Sequence, residues 1–276
     1  MILSILFFLQ PVSVWAEKLE VFVSILPQKF LVERIGGDVV HVSVMVKPGQ
    51  SPETFEPSPK LMSLYAKSNV YFTIGLPFEQ VWIKRVASLN RAASIVHTEV
   101  SSLHEHAPTQ GGHGHEFDPH TWLSPSLFLQ QGELVLAELI RLSPQNKARF
   151  TTNYQTLFNE VGQLHHELQT LFTALDKHAF ITFHPAFSYF AKQYGLTQLA
   201  IEVAGKEPSA KQIAQIITSI KGKNVRYILI EKQFNQVIAK TIAQSIHAQL
   251  LVLDPLAFDY LANMRDIAYK INKALF

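Results

Sequence analysis

The chain has no cysteine among its 276 residues. That absence excludes a disulfide framework and leaves no thiol near the N-terminus to carry a lipid. Excess charge of either sign is also missing. With 24 basic against 22 acidic residues the formal net charge is +2, too weak a field to recruit nucleic acid or a membrane surface. The apolar run at the start, Ile2 to Leu9, is broken by Pro11 and falls well short of the roughly 20 residues that span a bilayer. No HExxH motif occurs, since HEHAP, HEFDP and HELQT each begin His-Glu and lack the second histidine.

The first residues nonetheless have a purpose. The apolar run is followed by Val14-Trp15-Ala16 and then charged Glu17-Lys18, the pattern of a secretory signal with a small-residue cleavage site after Ala16, although no Lys or Arg precedes the run. Residues 1–16 are therefore expected to be a cleaved signal peptide and the mature chain a soluble, unlipidated periplasmic protein. A composition that is 47% hydrophobic and 17% charged supports one large domain or two modest lobes.

Periodicity favours two lobes. Leu19 to Ile25 reads as a strand, Gln28 to Ile35 as an amphipathic helix stopped by Gly36-Gly37, and Val39 to Val46 as a second strand. After the proline-rich PGQSPETFEPSP come a helix from Pro59 to Lys67 and the strand Asn69 to Ile74. The second half repeats the alternation: strand Ala179 to Phe183, helix Ala186 to Tyr194, strand Tyr227 to Glu231, helix Phe234 to His247, strand Gln249 to Asp254. Alternating strands and helices predict an α/β fold of two Rossmann-like lobes with parallel sheets. Between the halves a proline-free stretch carries Phe150, Tyr154, Leu157, Phe158, Val161, Leu164, Leu168 and Leu171 at helical spacing. One helix of about 30 residues would run roughly 45 Å and act as a spine. The expected division is an N-terminal lobe over 17–145, a connecting helix over 146–175 and a C-terminal lobe over 176–276.

Metal-binding side chains gather where such sheets bind ligands, at the carboxyl ends of their strands. His184 follows AFITF, Asp254 ends LLVLD, Glu53 lies in the loop after the second strand, and His120 lies in FDPHTWLSP. Four candidate ligands from four loops, two per lobe, predict a metal site in the interlobe cleft. Glu231 ends YILIE at the same edge and is the alternative carboxylate. The stretch before His120, residues 104–116, adds His104, His106, His113 and His115 among loosening glycines, a composition suited to weak auxiliary metal capture.

The segments PGQSPETFEPSPK, FDPHTWLSP, FHPAFSYFAKQYGL, GKEPSAKQI and LLVLDPLA, in this order, resemble the substrate-binding proteins of bacterial zinc and manganese ABC transporters. The resemblance covers essentially the whole mature chain. It implies two lobes joined by one long helix, a buried metal between them, and delivery to an inner-membrane permease powered by a cytoplasmic ATPase. It also places His120, His184 and Asp254 at the family's second, third and fourth ligand positions. The first departs: Glu53 stands where PHTYEP or PHTFEP would have histidine, and Ser124 stands where DPHxWLDP has aspartate. Two His, one Glu and one Asp form a sound tetrahedral zinc set, while the added oxygen leaves manganese or iron as alternatives. A histidine-rich loop at this place is usual in the zinc members, which makes zinc the first expectation.

Two rival classes remain. A zinc hydrolase requires three protein ligands, an open water position and a general base. A haem- or siderophore-binding protein with a long helix requires a wide aromatic or basic cleft. The other histidines read blandly: His165 and His166 as solvent-facing on the long helix, and His41, His97, His178 and His247 as surface or edge residues. Trp122, Phe187 and Tyr189 read as pocket walls, and Ser209 as an N-cap. A monomer is expected.

Overall fold

Short runs rich in Val, Ile, Leu and Phe build two parallel sheets, as sequences buried on both faces do. A computed structural model describes residues 18–100, 118–173, 175–202, 209–234 and 236–276. The expected signal segment and the histidines at 104, 106, 113 and 115 lie outside the described residues.

The first lobe runs β1 (Leu19–Val23), α1 (Leu26–Gly36), β2 (Val40–Val44), α2 (Pro59–Tyr65), β3 (Val70–Thr73), α3 (Pro77–Leu89), β4 (Ser94–His97) and α4 (Pro125–Leu142). Then comes α5 (Lys147–Phe172), entered through a 3-10 turn at Pro144–Asn146. The second lobe runs β5 (Ala179–Thr182), α6 (Ser188–Gln193), β6 (Thr197–Ala200), α7 (Ala210–Ile220), β7 (Tyr227–Glu231), α8 (Gln236–Ser245), β8 (Gln249–Leu253) and α9 (Tyr260–Ala274). The sheet orders are β2-β1-β3-β4 and β6-β5-β7-β8, and every pairing is parallel. In each sheet the strand order reverses at the first strand, which opens a crevice at the carboxyl edge.

The long helix α5 spans 26 residues, or about 39 Å at 1.5 Å per residue. Its buried stripe is Phe150, Leu157, Val161, Leu164, Leu168 and Phe172. Phe158 and Leu171, expected on that face, sit at its margin with 43% and 36% exposure. The helix packs on α1 and α4 of the first lobe and on α9 of the second.

One hydrophobic cluster runs through both lobes, from Phe22 and Phe72 through Phe128 and Phe150 to Phe180 and Tyr260. Across the boundary the rings of Phe128 (α4) and Tyr260 (α9) stack at 3.7 Å and 6°. Phe30 (α1) meets Phe258 edge-on at 5.8 Å. The Trp122 indole donates to Pro255 O at 2.9 Å. Each buried aromatic contributes roughly 1.5–3 kcal/mol, so the lobes are joined by packing as well as by the helix. A second cluster, including Ile181, Ile228, Ile230 and Ile242, is confined to the second lobe, with Ile213 and Ile217 of α7 packed against it.

The carboxyl edge of the first sheet is anchored by Glu79, 1% exposed at the start of α3. It accepts from the amides of Ile74 (3.1 Å), Gly75 (2.7 Å) and Leu76 (3.0 Å), and from the hydroxyls of Ser24 and Tyr71. Phe78 beside it packs edge-on against Phe55 at 5.1 Å, which fixes the loop that carries Glu53.

Gly132 of α4 tests the packing against α5. A Cβ there would come within 2.9 Å of the Tyr154 ring and 3.3 Å of Leu31 Cδ1, and the Tyr154 hydroxyl is tied to Leu129 O at 3.2 Å. Gly132→Ala should lower unfolding free energy by ~1–3 kcal/mol, read from the urea midpoint. Wild-type stability in that variant would mean that the two helices are not close-packed at this point.

Candidate metal centre

Three side chains converge in the cleft because three strand-end loops deliver them there. Ser51 caps the short 3-10 turn Pro52–Thr54 by accepting from the Glu53 amide at 3.2 Å, and this turn holds Glu53 at the cleft mouth. His120 opens the 3-10 turn His120–Leu123 just after Asp118-Pro119. His184 stands two residues beyond β5. His120 and His184 are each 7% exposed.

Their imidazoles face each other with Nε2 atoms 3.3 Å apart, and Glu53 Oε1 lies 3.7 Å from the first and 3.8 Å from the second. Glu53, His120 and His184 thus offer three donor atoms within 4.8 Å of one another. Tetrahedral zinc with donors at about 2.0–2.1 Å separates them by roughly 3.3 Å, so the histidine pair already spans one edge of such a shell. Pro52, Trp122, Ala186, Phe234, Pro255 and Leu256 complete a largely apolar wall.

Each histidine is held from behind by a carboxylate. His120 Nδ1 pairs with Asp118 Oδ1 at 2.7 Å, and the same oxygen accepts from the His120 amide at 2.9 Å. Asp118 is fixed in turn by the Ser188 hydroxyl and, through its carbonyl, by Tyr189 OH at 3.2 Å. His184 Nδ1 pairs with buried Glu202, and its carbonyl accepts from Gln198 Nε2 at 3.3 Å. The Phe234 ring stacks on His184 at 4.8 Å. A carboxylate on Nδ1 places the proton there and turns the Nε2 lone pair into the cleft, which is what a metal-binding imidazole needs.

The electrostatics agree. Burial raises the Asp118 carboxyl, but the His120 hydrogen bond and charge overcome it and leave the group below the usual carboxylate range. Burial likewise opposes charge on His120, yet Asp118, Glu53 and Glu231 hold it above the ordinary imidazole value. An imidazole surrounded by this much negative charge is prepared for a cation.

Asp254 is not brought into the converging group. Its carboxylate accepts from Lys232 Nζ at 3.1 Å, Gln233 Nε2 at 3.2 Å and the Leu256 amide at 3.2 Å. Glu231 does line the cleft, at 1% exposure, and burial pushes its carboxyl up to about 8.

Asp118 and Glu202 escaped the sequence reading, although each had a signal: Asp118 lies two residues before His120, and Glu202 lies two residues past β6 at the same sheet edge. His165 is not solvent-facing as expected; it is half-buried, with Tyr194 OH at 3.1 Å and Gln193 Nε2 at 3.0 Å from Nδ1. His97 does end a strand, β4, but remains exposed beside Thr73 and Glu99. Trp122 lines the cleft, whereas Phe187 is buried in the core and Tyr189 reaches Asp118. Ser124 caps α4 by accepting from the Leu127 amide, a task that serine and aspartate perform equally well. Ser209 caps α7 in a capping box with Gln212.

The fold and the donor cluster define a class: a two-lobed α/β binding protein with a candidate metal centre where the lobes meet. Residues 21–274 match the family described as zinc-uptake complex component A, periplasmic (ZnuA), and the chain belongs to that family. Its fold is that of a ZnuA crystal structure, with a TM-score of 0.86 and 35% identity over 94% of this chain and 99% of that one. A ZnuA deletion mutant crystallised with zinc bound is equally similar, at a TM-score of 0.86 and 35% identity over 94% of this chain and 98% of that one. The laminin-binding protein Lmb of Streptococcus agalactiae aligns with a TM-score of 0.82 and 27% identity over 94% of this chain and 99% of that one. Among curated relatives, the zinc-binding protein AdcA of Streptococcus pyogenes is 28% identical over 260 residues, 87% of this chain and 50% of that protein. The chain thus spans about half the length of the AdcA relatives it matches.

Removing the partner of one imidazole tests the site without touching a donor atom. Asp118→Asn should weaken zinc binding by ~10–100-fold in a calorimetric titration while leaving the far-ultraviolet circular dichroism unchanged. Undiminished affinity would mean that His120 is oriented by something other than Asp118.

Proposed function

We propose that this chain is the substrate-binding component of a metal-importing ABC transporter and captures one divalent ion, zinc in preference, for delivery to an inner-membrane permease driven by a cytoplasmic ATPase. The observation that carries the reading is the 3.3 Å approach of two buried Nε2 atoms with a carboxylate oxygen 3.7 and 3.8 Å away. Membership of the zinc-uptake family and the zinc bound by a similar ZnuA structure support it. In this reading Glu53, His120 and His184 are metal ligands, and the ion is cargo.

Because Glu53 and His120 belong to the first lobe and His184 to the second, the ion ties the lobes together. Loaded and empty forms then differ in rigidity, and a permease can select the loaded one. Release follows when the transporter separates the lobes. We assign 17–145, 146–175 and 176–276 to the first lobe, the connecting helix and the second lobe, and 1–16 to a cleaved leader that exports an unlipidated monomer to the periplasm. We read the site as serving carriage and not hydrolysis, a reading that membership of the zinc-uptake family supports.

The alternative cargo, manganese or iron, is favoured by Glu53, which replaces a nitrogen donor by oxygen. Metal-free mature protein dialysed against equal low concentrations of zinc, manganese and iron should retain one zinc per chain, measured by mass spectrometry. Retention should be lost in His120→Ala and weakened in Glu53→Ala. Preferential manganese or iron would move the cargo within the family, and wild type that keeps no metal would contradict the reading.

A further inference from the structure

The cleft holds a second acidic group that the three converging donors leave unused. Glu231 is 1% exposed and lines the cleft, and neither of its carboxylate oxygens has a well-formed hydrogen bond; the donors near it are the backbone amides of His184 and of Glu231 itself. The Oε1 of Gln233, in the same wall, is also buried and unpartnered. Buried acceptors without donors are rare and costly. Three of them in a cleft that also holds two imidazoles and a carboxylate mark a place for a cation.

Asp254, which the family resemblance puts at the fourth ligand position, is in the opposite condition. Its carboxylate accepts three hydrogen bonds, from Lys232, Gln233 and the Leu256 amide, and the lysine ammonium balances its charge. Strand register separates the two carboxylates further. Thr182 of β5 pairs with Leu229 of β7, so His184 and Glu231, each two residues on, stand side by side and share one face. Glu231 pairs with Leu253 of β8, so Asp254 is one residue further along and turns to the other face.

We infer that Glu231, and not Asp254, closes the metal shell begun by Glu53, His120 and His184. Asp254 is then a positioning residue: by holding Gln233 Nε2 and Lys232 it keeps the Gln233 carbonyl and the Glu231 carboxylate toward the ion. This inference rests on the zinc reading above. Glu231 stands outside the 4.8 Å group, so its side chain swings toward the paired Nε2 atoms as the ion enters. The second lobe then contributes two ligands from adjacent paired strands, which move as one body when the lobes part.

Calorimetric zinc titration of wild type, Glu231→Gln and Asp254→Asn tests this, together with thermal unfolding of each with and without zinc. Asp254→Asn, acting through its neighbours, should lower affinity by ~10–100-fold, and Glu231→Gln should lower it beyond that range. Without zinc, Glu231→Gln should unfold no earlier than wild type, since an unpartnered carboxylate has been removed, and its zinc-induced rise in Tm should shrink. A merely structural glutamate would instead lower the zinc-free Tm and leave the affinity intact. The inference is overturned if Glu231→Gln binds zinc as tightly as wild type, or if Asp254→Asn loses as much affinity or more. Wild type without zinc affinity would sink the zinc reading itself, and that outcome is visible without any variant.

Discussion

Everything in this structure serves one contact: two neutral-demanding imidazole nitrogens held 3.3 Å apart, in a buried cleft, on side chains that come from different lobes. With both protons on Nδ1 the two lone pairs repel each other, and the negative groups around them favour a cation between. Holding them there requires a rigid backing. Asp118 supplies it for His120 and Glu202, two residues past β6, supplies it for His184. Parallel strands put all those edges on one side, and the strand reversal in each sheet opens the crevice where the loops converge.

The interlobe boundary constrains how such a site can open. A single helix could act as a free hinge, but α5 is packed against α1, α4 and α9 in a core common to both lobes, and the Phe128–Tyr260 stack and the Trp122–Pro255 hydrogen bond bridge the remaining gap. Large-scale closure of the hinge-bending kind would have to expose this aromatic seam. Capture of an ion is therefore better served by small loop and side-chain movements at the mouth, where Glu53 rides on a short turn fixed by Ser51, Phe55 and Phe78. Parting His184 from His120 by a few ångströms would be enough to break the proposed shell.

Much of the fold was legible because its signals are local. The Val- and Ile-rich strands β1, β3, β5, β7 and β8 and the periodic stripe of α5 stand out in the sequence, with ends displaced by at most three residues and β7 matched at both ends. The edge strands β4 (SIVH) and β6 (TQLA) did not, since four residues with one neighbour offer too little pattern. Of the site, Glu53, His120 and His184 could be read from their places after strands and within motifs. Asp118 and Glu202 were missed, because a carboxylate two residues before a histidine, or two past the faint edge strand β6, gives only a weak signal until the ring it meets in space is known. Asp254 shows the converse: a residue at the expected strand end, whose partners Lys232 and Gln233 engage it elsewhere.

The central claim is that one zinc ion bridges the lobes through two imidazoles and otherwise through oxygen. X-ray absorption at the zinc edge of the singly loaded protein measures that shell directly. A first shell of two imidazole nitrogens with carboxylate oxygens, at about 2.0–2.2 Å, is the predicted result. A shell with one imidazole, or with three or more, would place the ion elsewhere in the chain and contradict the site described here.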